Sequence, residues 1–450
     1  MLAAVKSAVP WLVYAAMLFL AVYGSLKKPQ WSLFLLMVLI PIPGLWYPTH
    51  GIPLGKDTLD ILVLATLIGT IVTGRDKTSP RGRGVVWFLL ALSFASLVNV
   101  MTRFGIGMDV GFSFIASWKN YAEMIILYFL AYSALQEEED QKLALTVIAV
   151  VILYMSVQAF RNFDARATFS YDKRASGPFE LLGLGANHFA AFLAHYCAVL
   201  LGLAFIDPDR RRRWLFLAAV GFSLHPLLFA YSRGAYAAVL LVLLIFGLLR
   251  YRFVLVLLVV LAVGWQEILP TSVTERITMT KNEDGEIEES AALRMVMWDR
   301  AEQMFLDNPI FGIGYTGFAY AMQGERLTNT HNYFVQTAAE QGVLGLIALA
   351  LLFSRAMWLG WYAFRRGISA FHRGLGFGFM SCVAAMIVTN IFGDRYSALA
   401  MGAYFFILMG ILERARDAAD PIKRQTRVAS RPMPGPKVDS GATPQRTPLR

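Results

Sequence analysis

Residues 234–269 read GAYAAVLLVLLIFGLLRYRFVLVLLVVLAVGWQEIL. Two apolar runs, 234–250 and 253–269, are joined by a basic hinge of Arg250, Tyr251 and Arg252. Each run approaches the roughly 20 residues with which a helix crosses about 30 Å of hydrocarbon. Within lipid the backbone must satisfy its own hydrogen bonds, and a helix does so inside one segment. Two such runs with so short a turn predict a helical hairpin in a membrane.

The same pattern continues on both sides. Apolar runs lie near 9–26, 31–47, 58–74, 84–101, 114–135 and 141–162. Others lie near 186–206, 212–232, 342–364, 374–393 and 396–413, which gives 13 with the opening pair. The alternative is 12, because Pro41 and Pro43 interrupt the second run. The chain is 57% hydrophobic and only 16% charged, with a mean hydropathy of +0.52. A soluble chain of 450 residues needs a larger charged shell. The alternation of a transmembrane β-barrel is missing. The fold class is an all-α polytopic membrane protein with about 12–13 transmembrane helices. One large outer-face loop should contain short helices.

The net charge of +10 does not indicate nucleic acid. Basic residues cluster in short loops beside the apolar runs, as cytoplasmic loops do. The clusters are Arg75, Lys77, Arg81 and Arg83, then Arg210 to Arg213, then Arg365, Arg366 and Arg373. Arg414, Arg416, Lys423, Arg424 and Arg427 follow near the C-terminus. Counting spans back from a cytoplasmic C-terminus puts all four groups on one side. Cys197 and Cys382 both fall inside apolar runs, which argues against a disulfide or a thiolate metal site. The first run follows Lys6 and is read as a retained span, since a second run follows almost at once. The expected organisation is 1–162 as N-terminal transmembrane helices and 163–413 as a catalytic transmembrane region. Residues 414–450 should form a disordered basic cytoplasmic tail.

The face opposite the basic loops receives two long segments, 163–185 and 266–330. Loops of this length in a compact protein are usually functional or disordered. Leu293, Met297, Ala301, Met304 and Phe305 repeat at helical spacing ahead of Asn308 and Pro309, which predicts a helix lying at the membrane surface. Gly312-Ile313-Gly314-Tyr315-Thr316-Gly317 fits a dinucleotide-binding pattern, but no strand–turn–helix unit surrounds it, and a flexible turn is expected. Asn282 to Gly285 resembles a calcium loop whose first and twelfth positions, Thr280 and Ala291, are wrong for one. His188 and His195 could share a helix face, yet no third ligand stands near. No metal and no cofactor are expected.

His331 lies where polar loop turns into apolar helix. With Thr330 or Asn329 as N-cap, it would occupy the first helical turn beside Asn332, where free N–H groups favour anions. A histidine there could take a proton from an acceptor hydroxyl or hold a phosphate. Three arginines share its face. Arg233 sits at the junction of two spans, where an unpaired charge is costly. Arg294 opens the loop helix, and Arg174 precedes Gly177-Pro178-Phe179 and Asn187-His188. Converging guanidiniums would suit a diphosphate, because each offers planar, bidentate donors. Lys119 and Glu123, four apart in one span, are read as a structural ion pair.

These residues also carry a resemblance. Thr330-His331-Asn332, nine residues, then Gly342-Val343-Leu344-Gly345 is similar to the His-Asn-x9-Gly signature of the O-antigen ligase and polymerase superfamily. Ser232-Arg233-Gly234 resembles its Ser-Arg-Gly motif. Leu293-Arg294, Trp298 and Asn308-Pro309 through Gly314 resemble its stretch ahead of the histidine. Gly177-Pro178-Phe179 and Asn187 resemble its Gly-x-Phe…Asn segment. The resemblance spans roughly 174–351. It implies an inverting, metal-independent glycosyltransferase in a bacterial inner membrane, working at the periplasmic face. The donor would be a glycan on undecaprenyl diphosphate. The acceptor would be a hydroxyl of lipid A-core, a glycan or a protein. By motif, Arg233 and Arg294 would hold the diphosphate and His331 would act at the acceptor, with Arg174, Asn187 and Asn332 as substrate-binding residues. The alternative is a polymerase of the same superfamily. A transporter or flippase would need broken polar helices near mid-bilayer, and usually internal repeats.

Overall fold

The computed structural model describes residues 2–74, 79–163, 169–170, 173–279, 289–324 and 328–419, without the side chains of 2–7 and 289–292. Arg75, Lys77, the loop at 282–285 and the tail from 420 onward lie outside the described residues. Among the described residues there is no strand. The N-terminal part contains α1 (Leu2–Leu26), α2 (Pro29–Leu39), α3 (Pro43–Trp46), α4 (Thr58–Val72), α5 (Arg83–Arg103), α6 (Met108–Ala134) and α7 (Glu138–Asn162). The centre contains α8 (Ala186–Ile206), α9 (Arg210–Phe229), α10 (Arg233–Leu249), α11 (Phe253–Ile268) and α12 (Thr271–Thr278). Then come α13 (Glu289–Asp307), α14 (Gly317–Ala321), α15 (Tyr333–Arg366), α16 (Ala370–Ile391) and α17 (Leu399–Ala419).

Every one of the 13 apolar runs falls on a helix. Six helices are both long and apolar enough to span a bilayer, or up to eight when each of two sharply bent pairs counts as one span. This is fewer than the 12–13 read from the runs. Helices α4 and α10 are short, at 15 and 17 residues. Helix α6 carries Lys119 and Glu123, and α17 ends in Glu413, Arg414 and Arg416. The chain is a multi-pass α-helical membrane protein.

Packing is tightest where α8, α15 and α16 meet. A Cβ on Gly202 of α8 would lie 2.5 Å from the backbone of Gly378 in α16. Two helices approach this closely only with small residues at the crossing. Such approach is how helices associate in lipid, where burying apolar surface gives little drive. Helices α8, α16 and α17 are buried along most of their lengths, so they form the centre of the bundle.

The two ends of the bundle differ in chemistry. At one end, Arg355 donates to both oxygens of the fully buried Glu413, at 2.8 and 2.9 Å. Arg416 pairs with Glu413 and Asp417, and the Gly82 N–H also donates to Glu413. Here buried carboxylates pair with arginines. The expected tail begins inside this network: residues 414–419 are helical, and Arg414, Arg416 and Asp417 are buried. Helix propagation from α17 and these ion pairs override the polar composition that suggested disorder. The opposite end carries His331.

Candidate active site

The site is built on a broken helix. Inside α15, Gly342 stands at φ 63° and ψ −158°, far from helical values, so the helix is two segments meeting at a kink. The break frees backbone groups on both sides, and residues 309–314 satisfy them. The N–H groups of Ile313 and Gly314 donate to Ala339 and Glu340 carbonyls at 2.9 and 2.8 Å. Those of Val343 and Leu344 donate to Pro309 and Ile310 carbonyls at 2.8 and 3.4 Å. A Cβ on Gly342 would meet the Ile310 backbone at 2.4 Å, and one on Gly312 would meet Glu340 at 2.3 Å. Non-helical backbone inside a membrane protein persists only with such internal partners. The glycine-rich stretch expected as a flexible turn is therefore a fitted splint. Helix α5 backs it: the Asn99 amide donates to the Gly312 carbonyl at 3.1 Å, and Arg103 donates to the Asn308 side chain.

The splint fixes the N-terminal half of α15 and the turn before it. Asn332 is the N-cap, accepting from the N–H groups of Phe334 (3.0 Å) and Val335 (3.3 Å). Neither Thr330 nor Asn329 fills that position. Thr330 is fully buried and donates to the Asn332 carbonyl, and its own carbonyl accepts from Trp298. Asn329 accepts from the His331 N–H at 2.7 Å. His331 thus stands one residue ahead of the cap rather than in the first turn, with φ at 53°. Its left-handed backbone is a conformation that most side chains avoid. Asn329 and Thr330 hold the loop in that conformation. The oxygen of Asn332 serves the cap, so only its NH₂ could meet a substrate. Helix α13 presses on this region through Met297 and Ala301, both buried with Phe318 and Ala339. The helix expected there is α13, whose buried face packs onto α15.

Beside this turn lies a cavity of about 210 Å³. Arg233, Arg276, Arg294 and Arg395 line it, with Asn187, Ser232 and Thr389. Among the described residues no Asp or Glu lines it. Four different parts of the chain deliver these arginines. Arg233 is the first residue of α10, and its guanidinium donates to the Met279 carbonyl at 2.9 Å. Arg276 comes from α12, which turns 107° from α11 and crosses the end of the bundle. Arg294 comes from the start of α13. Arg395 comes from the connection between α16 and α17, is 7% exposed, and donates to the His188 ring at 2.7 Å.

Burial, with the charges of Arg294 and Arg174 nearby, pulls Arg395 down to about 10, although Asp394 opposes the shift. Arg395 therefore stays cationic at neutral pH. Burial, and then the charges of Arg294 and Arg395, hold His331 down at about 4. Its ring is neutral at neutral pH and able to accept a proton. An anion in the cavity would relieve the crowding of like charges that both shifts report.

Of the residues expected from sequence, Arg233, Arg294 and Asn187 line this cavity, and His331 stands within reach of its charges. Arg174 does not line it. Its Nε donates to the Ala230 carbonyl at 2.8 Å and its Nη2 to Asn187 at 2.6 Å. Arg174 ties down the turn at Tyr231, φ 51°, from which Arg233 projects. Arg276 and Arg395 escaped the sequence reading. Arg276 falls in an amphipathic eight-residue helix that resembles an ordinary surface segment. Arg395 lies outside every motif, and only folding brings it to the others. His188 and His195 are engaged separately, with Arg395 and with Thr389 at 2.7 Å.

A multi-pass helical bundle whose arginine cavity, among the described residues, is lined by no acid is a membrane protein with a cationic pocket at one end. Residues 218–350 match the family model described as O-antigen ligase. That match supports the O-antigen ligase superfamily and, in general terms, a ligase- or polymerase-type glycosyltransferase acting on lipid-linked glycans. It includes Arg233, Arg276, Arg294 and His331 but not Arg174, Asn187 or Arg395. No curated protein matches the chain significantly.

Proposed function

We propose that the protein is an inverting glycosyltransferase that moves a glycan from undecaprenyl diphosphate to an acceptor hydroxyl at the periplasmic face of the inner membrane. The carrying observation is the cavity lined by four arginines and, among the described residues, no acid. The catalytic region lies within 163–413. Arg233 and Arg294 grip the diphosphate, and Arg276 and Arg395 add to the same field. As the C1–O bond to the diphosphate breaks, the electron pair leaves with the phosphate oxygen. Preplaced guanidiniums stabilise that developing charge without reorganising. The acceptor oxygen forms the new bond to C1. Its proton passes to neutral His331 and from there to water. Activation resides in the donor's diphosphate, so neither nucleotide nor metal takes part.

The membrane orientation follows from charge. Arg210 to Arg213 open α9 and Arg365 and Arg366 close α15, at the ends of those helices remote from Tyr231 and His331. The positive-inside bias supports that end in the cytoplasm and the cavity outside. A ligase and a polymerase would share this donor chemistry and differ in acceptor. Purified protein in nanodiscs, given lipid-linked glycan and acceptor glycolipid from its own cells, should transfer glycan with excess EDTA present. Activity that needs an added divalent ion would remove the metal-free mechanism, and no transfer at all would remove the reading.

A further inference from the structure

A second cavity, of about 680 Å³, lies beside the arginine cavity and has the opposite character. Its carboxyl groups are Asp57, Asp60, Glu123, Glu340 and Asp394, against the amines Lys56 and Lys119. Its volume lies within the roughly 300–1,000 Å³ usual for small-ligand sites. The two cavities adjoin at the connection between α16 and α17. Asp394 faces the large one and its neighbour Arg395 the small one. Tyr333, two residues after His331, also lines the large cavity.

The lining suits a sugar. Trp46, Tyr47 and His50 cluster at its edge, with ring centroids 4.6–5.2 Å apart. Such rings offer apolar faces to the C–H face of a pyranose. Carboxyl oxygens and the amides of Asn120, Gln336 and Gln341 offer acceptors and donors to hydroxyls. Lys119 does not chiefly serve Glu123, as the sequence spacing suggested. It binds both oxygens of Asp60, at 2.6 and 2.5 Å, and lies 3.7 Å from Glu123. Glu123 is 9% exposed, and among the described residues its Oε2 has no hydrogen-bond partner. Glu123 thus lies in the cavity wall beside the Lys119–Asp60 pair and shapes its polar lining.

We infer that this cavity holds the acceptor, as the non-phosphorylated saccharide end of a glycan or glycolipid, whose hydroxyl reaches past Tyr333 to His331. The inference rests on the transferase reading above. The carboxyl-rich lining disfavours phosphate, which the arginine cavity takes. Donor and acceptor are thereby sorted by charge on either side of Asp394 and Arg395.

The test is Asn120→Trp, which fills the cavity from an exposed position on α6, beside the isosteric Glu123→Gln. Purified variants are assayed for transfer to the glycolipid fraction of membranes from a strain lacking the protein. Binding of bare undecaprenyl diphosphate is measured on the same samples. Asn120→Trp should raise the acceptor KM at least tenfold, and Glu123→Gln several-fold, with undecaprenyl diphosphate binding unchanged. Parent-like acceptor KM in both variants would overturn the inference while leaving the transferase reading in place. Loss of undecaprenyl diphosphate binding would assign the cavity to the donor instead. Absence of transfer by the parent protein would remove the transferase reading and this inference with it.

Discussion

Replacing Arg294 by Ala separates an anion-binding role from a structural one. Arg294 lines the arginine cavity and is also one of the two charges that depress His331. A charge-assisted hydrogen bond contributes about 1.5–3 kcal/mol net. At about 1.4 kcal/mol per tenfold, its loss should weaken undecaprenyl diphosphate binding and slow transfer by roughly ten- to a hundredfold. The same change removes a positive charge beside His331, so that residue's pKa should rise from about 4 toward its ordinary value. Arg294→Lys keeps a charge but loses the planar fork, so it should restore the depressed pKa and little of the binding. Donor binding by calorimetry and His331 titration by NMR on the same nanodisc samples give the two readouts. Binding within twofold of the parent in Arg294→Ala would refute the clamp. An unmoved His331 pKa would show that the two residues do not share one field.

His331→Ala should abolish transfer while bare undecaprenyl diphosphate still binds; loss of that binding would make His331 a phosphate ligand instead of an acceptor base. For His331, the base form predominates above the folded pKa, so the acid limb of kcat/KM should fall near pH 4 rather than 6.5. The limb of kcat should lie higher, because bound diphosphate offsets Arg294 and Arg395; coincident limbs would argue against a shared site. The unfolded chain protonates this histidine near 6.5, so its contribution to stability is lost as pH falls from about 6.5 to 4, which denaturant titration of the parent against His331→Gln would detect. Gly342→Ala places a Cβ 2.4 Å from the Ile310 backbone at φ 63°, and strain of about 1–3 kcal/mol should lower the thermal midpoint and loosen the splint. An unchanged midpoint would mean that α15 can close its break.

Linear patterning alone was enough for the fold class and the placement of apolar runs on helices. Runs such as 234–250 report the bilayer directly, because a spanning helix satisfies its backbone within itself and needs only length and apolarity. His331, Arg233 and Arg294 could be singled out as candidates because each sits in a short motif, and the fold brings the two arginines to one cavity. The remaining features came from contacts between distant segments. Arg395 and Arg276 joined the cavity only through the connection from α16 and the bend into α12, contacts that no local pattern encodes. Arg174 was picked out by its motif, and only the fold shows that it reaches the Ala230 carbonyl and the Asn187 side chain. Lys119 took Asp60 over its own-helix neighbour because α4 brings that carboxylate closer. The Gly312–Gly314 stretch became a splint because the break at Gly342 leaves backbone groups that only a second segment can satisfy. Local periodicity fixes which residues enter the membrane, and pairing between distant segments fixes which charges share a cavity.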